Sequence, residues 1–406
     1  MRILHTSDWH LGKQLLGIPR INEQKEVLDE ICEIADSENI DLVLLAGDLF
    51  DTYNPPAEAT EVFYKKLKKL TAGGKRIVVA IAGNHDSPER IEAPDPLALE
   101  NGIIFTGYPN TIPGSLDLDN GIKVTKSAPG FLELTFPSIE YPVRIILTPY
   151  ANEFRLKTFL GVEDKEARLE EALKNFWNEI ADKHCDNSGV NLLITHLFMS
   201  KRGEKPPEEP EEEKPILQLG GAQIIHTDNI PSSIQYTALG HLHGRIKLGD
   251  DTKKAIYYSG SPLAYGFNEN RDKYVIVAEI EPDGIYEIKE ITLTKGKKLT
   301  RAKFENVNEA LQWLGENQNS IVELTLVSEE FIRAEDRKRI FASHPNVFII
   351  PEITGNISGG ENSGDLINLD KSLTELFYDF FEYSSGKKPN DDIKNLFNEI
   401  LSAEEE

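Results

Sequence analysis

Five apolar runs punctuate the first two thirds of the chain, at 2–4, 40–48, 76–86, 190–196 and 236–243. Between the first two, Ile21, Leu28, Ile31 and Ala35 recur at helical spacing; between the next two, Ala59, Val62, Phe63, Leu67 and Leu70 do the same. Apolar runs alternating with helical stripes predict βαβ units and a layered α/β fold.

The pattern changes near residue 275. KYVIVAEIEPDGIYEIKEITL predicts a hairpin, and SIVELTLV, EEFIRAEDRKRIFA and NVFIIPEI predict strand, helix and strand. These define a smaller α+β domain over 276–352, after a first domain over 1–275. A Gly-, Ser- and Asn-rich stretch then predicts a linker over 353–366. Beyond it Leu373, Leu376, Phe377, Phe380 and Phe381 share one helical stripe, and Ile393, Leu396, Phe397, Ile400 and Leu401 repeat its spacing. A helical hairpin is therefore expected over 367–406. Its stripes either pack back on their own domain or dock on a partner; two helices behind a linker cannot bury both stripes alone, which favours docking.

With 406 residues the chain has room for two or three domains. It shows neither a signal-peptide pattern nor an apolar run near 18 residues, so a cytoplasmic protein without membrane contact is expected. Two distant cysteines, Cys32 and Cys185, argue against a disulfide framework or a thiolate zinc site. Lys and Arg number 44 against 68 Asp and Glu, a formal net charge of -24. Such a chain needs bound cations or a partner to approach a polyanion. The acidic, proline-rich segment 201–215 reads as a surface loop. The notable basic cluster is Lys295, Lys297, Lys298, Arg301 and Lys303, which is either a solvated face or a contact for DNA phosphate.

Candidate metal ligands gather where the apolar runs end. Asp8 and His10 follow the first, Asp48 the second, Asn84, His85 and Asp86 the third, His196 the fourth, and His241 and His243 the fifth. In open α/β sheets, functional groups collect outside the carboxyl ends of strands, so these segments can converge. By itself, His241 and His243 on one face of a strand fit a single shared zinc. Asp8, His10, Asp48, Asn84, His196, His241 and His243 together are too many donors for one catalytic ion with an open position. Two ions about 3.5 to 4 Å apart, bridged by a carboxylate, use them all and suit in-line displacement at phosphorus. Imidazole, amide and carboxylate without thiolate favour Mn, Fe or Zn over Ca.

In order and character, SDWHLG, GDLFD, GNHD, THLF and ALGHLHG resemble the motifs of the calcineurin-like metallophosphoesterases. With YYSGSPLAYGFNE at 257–269 and the C-terminal helix pair, the chain is similar to the nuclease subunits of double-strand-break repair complexes. The resemblance implies an α/β sandwich of mixed sheets flanked by helices, a smaller α+β capping domain that binds DNA, and a helical hairpin that binds an ATPase. It implies one ion on Asp8, His10 and His243, another on Asn84, His196 and His241, and Asp48 between them. His85 would then face the phosphate and protonate the leaving oxygen or neutralise developing charge, oriented by Asp51; a solvated turn carboxylate is the competing reading of Asp51. The implied ions are Mn, with Mg, Fe or Zn as alternatives. The implied activity is exonuclease action from 3′ to 5′ on duplex ends and endonuclease action on single strands and hairpins. The implied partners are DNA, an ABC-type ATPase with a long coiled coil and a second copy of the chain, in a two-plus-two assembly. Thr52 and Tyr53 stand where phosphoprotein phosphatases carry Arg and Gly, which counts against that activity. Two rivals remain: a phosphodiesterase of nucleotides or small phosphodiesters, and a non-catalytic scaffold that keeps the fold.

Overall fold

A computed structural model describes residues 1–157, 165–207, 224–250, 254–269, 271–328 and 332–354, with single positions and short stretches between 374 and 397. Most of the acidic loop expected at 201–215 therefore lies outside the described residues. Two compact units divide the chain, Met1–Glu352 and Ile353–Glu406.

The first half of the larger unit runs β1 (Arg2–Thr6), α1 (Ile21–Ser37), β2 (Leu42–Ala46), α2 (Ala57–Leu70), β3 (Ile77–Ile81), β4 (Ile103–Thr106), β5 (Lys123–Ala128), β6 (Phe131–Thr135) and β7 (Val143–Thr148). There follow α3 (Glu153–Leu156), α4 (Lys165–His184), β8 (Val190–His196), β9 (Tyr236–Gly240), β10 (Ile246–Asp250), β11 (Ala255–Tyr258), β12 (Lys273–Glu281) and β13 (Gly284–Leu293). The last part is β14 (Lys298–Phe304), α5 (Val307–Glu316), β15 (Ser320–Ser328), α6 (Ala334–Ser343) and β16 (Val347–Ile353).

One six-stranded sheet has the order β13-β12-β1-β2-β3-β4, and a seven-stranded sheet the order β10-β11-β9-β8-β7-β6-β5. Strands β1 to β4 are mutually parallel, as are β7, β8, β9 and β11. Their apolar runs are continuous because both faces are covered. Ile3, Leu44, Val79 and Ile81 of the first sheet share one core with Ile145, Leu192, Ile194 and Ala238 of the second. On its outer face the first sheet packs against the α1 and α2 stripe of Val27, Leu28, Ile31, Val62, Phe63 and Leu67, and the second against Leu169, Leu173 and Trp177 of α4. The α/β sandwich expected above is thus helix on sheet on sheet on helix.

The predicted hairpin forms as β12 and β13, but β12 pairs antiparallel with β1 and extends the first sheet. The boundary expected at 275/276 falls within β12, since alternation reveals a hairpin without revealing which sheet it joins. A separate three-stranded sheet, β14-β15-β16, begins at Lys298 and packs Ala310, Leu314 and Ile340 of α5 and α6 against Val322 and Leu324. Among the described residues no helix is long and apolar enough to cross a membrane.

Candidate metal centre

The parallel strands of both sheets deliver their carboxyl ends to one place. Asp8 and His10 follow β1, Asp48 follows β2, Asn84 and His85 follow β3, His196 ends β8, and His241 and His243 follow β9. Main-chain approach there is close: a Cβ on Gly240 would run into the Ala46 carbonyl, and one on Gly83 into the Asp48 carboxylate. Asp8, His10, Asp48 and His241 all have positive φ, at 54°, 43°, 48° and 103°. Side chains are seldom held that way except where the surrounding fold enforces it, and such strain collects at functional sites.

All seven expected ligands come together. Asp8, His10, Asp48 and His196 are fully buried, with His243 and His241 nearly so. His10 Nε2 and His243 Nε2 face each other at 3.1 Å, and Asp8, His10 and His243 bring ligand atoms within 4.8 Å of one another. Asn84 Oδ1 lies 2.9 Å from His196 Nε2 and 3.2 Å from His241 Nδ1. Between these groups stands Asp48 Oδ2, 3.6 Å from His10 Nε2 and 3.3 Å from His196 Nε2.

Electrostatics favour cations here. Burial works against a charged Asp48, but His196, His85 and His10 hold its carboxyl below the usual range. Burial and then the neighbouring Asp48 charge set Asp8 against the pull of the histidines, and its carboxyl ends raised. His196, despite burial, is pushed up to about 9 by Asp48 and Asp8. Two carboxylates enclosed with four imidazoles demand positive charge, and divalent ions supply it with donors that suit them. The residues present therefore fit a pair of divalent ions.

The remaining contacts orient the donors. His196 Nδ1 meets the Ala46 carbonyl at 2.8 Å, and His243 Nδ1 meets Glu269 Oε1 at 2.8 Å. Asp86 takes main-chain N–H groups from Gly83, Leu49 and Phe50 on its two oxygens, tying the β2 and β3 loops together. Sequence reading missed these roles of Glu269 and Asp86; GNHD and the end of YYSGSPLAYGFNE held the only signal. His85 is half-buried, and its Nδ1 lies 2.8 Å from the main-chain carbonyl of Asp51. The Asp51 carboxylate instead receives Lys13 Nζ at 2.9 Å and sits 3.6 Å from His10 Nδ1. Residue 51 meets His85 through its main-chain carbonyl, and its carboxylate lies in one cluster with the His10 and His85 rings, ligand atoms within 4.8 Å of one another.

The basic cluster spans the start of β14 and the loop before it. Lys295, Lys298, Arg301 and Lys303 are exposed and Lys297 half-buried. Arg301 donates to Glu323 at 2.7 Å and Lys303 to Glu352 at 2.7 Å, so two of the five charges are locally neutralised. In the smaller unit Leu376, Phe377, Phe381, Ile393 and Phe397 are half-buried, and the Phe377 and Phe397 rings stack at 3.8 Å. Leu373, Phe380, Leu396, Ile400 and Leu401 lie outside the described residues.

Such a cluster of His, Asp and Asn at the carboxyl ends of a two-sheet sandwich defines a metal-dependent phosphoesterase. The model of the calcineurin-like phosphoesterases matches residues 1–244, and the chain belongs to that family. It is 33% identical over 411 residues to the SbcD subunit of the nuclease SbcCD of Bacillus subtilis, across 100% of this chain and 99% of the relative. The SbcD subunit of Staphylococcus epidermidis is 26% identical over 410 residues, all of both chains. That of Rhodobacter capsulatus is 30% identical over 272 residues, 66% of this chain and 64% of the relative.

Proposed function

We propose that this chain is the nuclease subunit of an SbcCD-type complex, hydrolysing DNA phosphodiester bonds with two divalent ions. Asp48 Oδ2 carries the reading, because it stands within 3.6 Å of imidazoles from both ligand groups. Asp8, His10 and His243 would hold one ion, Asn84, His196 and His241 the other, and Asp48 both. Bound there, the ions would activate water for in-line attack and stabilise the charge that develops on phosphate oxygens.

The chain's own residues do the rest. A carbonyl can only accept, so the neutral His85 ring carries its proton on Nδ1, toward Asp51. Protonated at Nε2 as well, His85 gives that proton to the oxygen leaving phosphorus. The Asp51 carbonyl fixes the ring for this transfer, and Lys13 holds the Asp51 side chain.

Manganese is the preferred ion, with Mg, Fe or Zn as alternatives. The substrates are duplex ends, attacked from 3′ to 5′, and single strands and hairpins, cut internally. The part of 276–352 that stands apart from the first sheet, from Lys298 on, caps the site, and Lys295, Lys297 and Lys298, with Arg301 and Lys303 where their acidic partners release them, contact phosphate. Residues 353–366 link to the helical hairpin of 367–406, which docks on an SbcC-type ATPase with a long coiled coil. Two copies of each chain assemble in the cytoplasm.

Purified protein with Mn should cut single-stranded DNA. Efficient hydrolysis of a nucleotide phosphodiester with no DNA cleavage would support the small-substrate rival. Absence of both activities in protein that binds two ions would leave only a scaffold.

A further inference from the structure

Arg155 lies outside the ligand set, on the short α3 helix whose start is fixed by Asn152 Oδ1 accepting from the Arg155 N–H at 2.8 Å. Its side chain is buried, at 3% exposure. Nη1 donates to the Gly83 carbonyl at 2.7 Å, and Nη2 to the Asp86 carbonyl at 2.8 Å and the Tyr53 hydroxyl at 3.0 Å. The guanidinium also stands over the Tyr150 ring, 5.1 Å from its centroid.

Two features separate these contacts from ordinary packing. First, the carbonyls of Gly83 and Asp86 bracket Asn84 and His85, the two residues of that loop that face the metal centre. Second, all three oxygen partners are uncharged. A buried cation held by neutral oxygens carries a desolvation cost, which would select against it if it served stability alone. The planar fork of arginine, however, can grip both ends of a four-residue loop at once. Asp86 accepts the Gly83 N–H from within the loop and the Leu49 and Phe50 N–H groups from the loop after β2, so the loop is fixed from two sides.

We infer that Arg155 is a positioning residue, a clamp that sets where Asn84 Oδ1 and the His85 ring stand and links their loop to the segment of Asp51 through Tyr53. This rests on the reading under Proposed function. Loosening the clamp moves one ligand of one ion and the proton donor, and leaves Asp8, His10 and His243 in place. Misplacement near 1 Å costs about a hundredfold in rate.

Full-length wild type, Arg155→Ala and Arg155→Lys would be titrated calorimetrically with Mn alone and assayed for hydrolysis of bis(p-nitrophenyl) phosphate and single-stranded DNA. In Arg155→Ala one ion should bind as in wild type and the other about tenfold or more weaker. Its kcat should fall about a hundredfold on both substrates, with added guanidinium ion restoring part of it. Arg155→Lys, which keeps the charge and loses the fork, should lie between and covers the case in which the alanine variant does not fold. Wild-type kcat and two wild-type affinities in either variant would overturn the clamp. So would equal weakening of both ions without rescue by guanidinium. Wild type binding fewer than two ions, or cleaving neither substrate, would instead bring down the underlying reading and the clamp with it.

Discussion

Glu269 Oε1 and His243 Nδ1 lie 2.8 Å apart, and the same carboxylate receives Lys273 Nζ at 2.6 Å. Burial disfavours charge on Glu269, yet Lys273 and His243 pull its carboxyl down to about 2. It stays ionised and acceptor-only, so His243 keeps its proton on Nδ1 and turns Nε2 toward His10. Glu269→Ala should weaken one Mn site by about 10- to 100-fold, whereas Glu269→Gln, which still accepts a hydrogen bond, should lose less. Calorimetric titration reads both, and equal affinities in all three proteins would show that the carboxylate does not orient the ligand.

In the proposed mechanism His85 moves a proton. Its N–H from the main chain donates to Asp48 Oδ1 at 2.9 Å, a contact that survives truncation of the side chain. His85→Ala should therefore bind two Mn ions with wild-type affinity while kcat falls by about 10²- to 10⁴-fold. A lost ion in the variant would make His85 a ligand and redraw the site.

A further histidine, two residues before the first motif, works differently. His5 on β1 reaches across to β9, with Nδ1 3.0 Å from the Tyr236 hydroxyl and Nε2 3.1 Å from the Leu239 carbonyl. Nε2 must donate to that carbonyl, and burial keeps the ring neutral by lowering its pKa to about 3. In the unfolded chain the same group titrates near 6.5. Between these values the unfolded chain binds the extra proton, so the contribution of neutral His5 is intact above pH 6.5 and is lost as pH falls toward 3. From pH 7 to pH 5, urea unfolding of wild type should lose about 2 kcal/mol more than that of His5→Gln. Parallel pH profiles for the two proteins would remove this role from His5.

Much of the site was legible because strand ends are legible. An apolar run that stops at GD, GNHD or THLF marks both a buried strand and the residue that emerges from it. Strand β5 escaped notice because its exposed positions carry Lys123 and Lys126, and β6 and β7 because the buried pair Glu133 and Arg144 interrupts their apolar runs. The join of β12 to β1 escaped because pairing across about 270 residues leaves no local trace. Arg155 was invisible, and Glu269 stood at the end of YYSGSPLAYGFNE without a role, for a related reason. Their partners are a carbonyl or a histidine distant in sequence, and only the closed sandwich brings them together.

In the smaller unit, the stacked rings of Phe377 and Phe397 divide the work of the two stripes. Stacked aromatic pairs contribute about 0.5 to 1.5 kcal/mol beyond their buried area, so this pair can hold the hairpin together. In the proposed docking the other stripe residues grip the partner. Removal of all residues after Asp365 should abolish binding to the ATPase and leave Mn-dependent cleavage of single-stranded DNA in place. Phe377→Leu should weaken ATPase binding only modestly, by loosening the hairpin, while Leu376→Asp, which places a charge on the stripe, should weaken it at least about tenfold. Surface-immobilised ATPase and the purified variants suffice for the measurement. Full binding by the truncated chain would show that the hairpin is not the docking element, and equal loss in the two point variants would show that the stripe acts only through its fold.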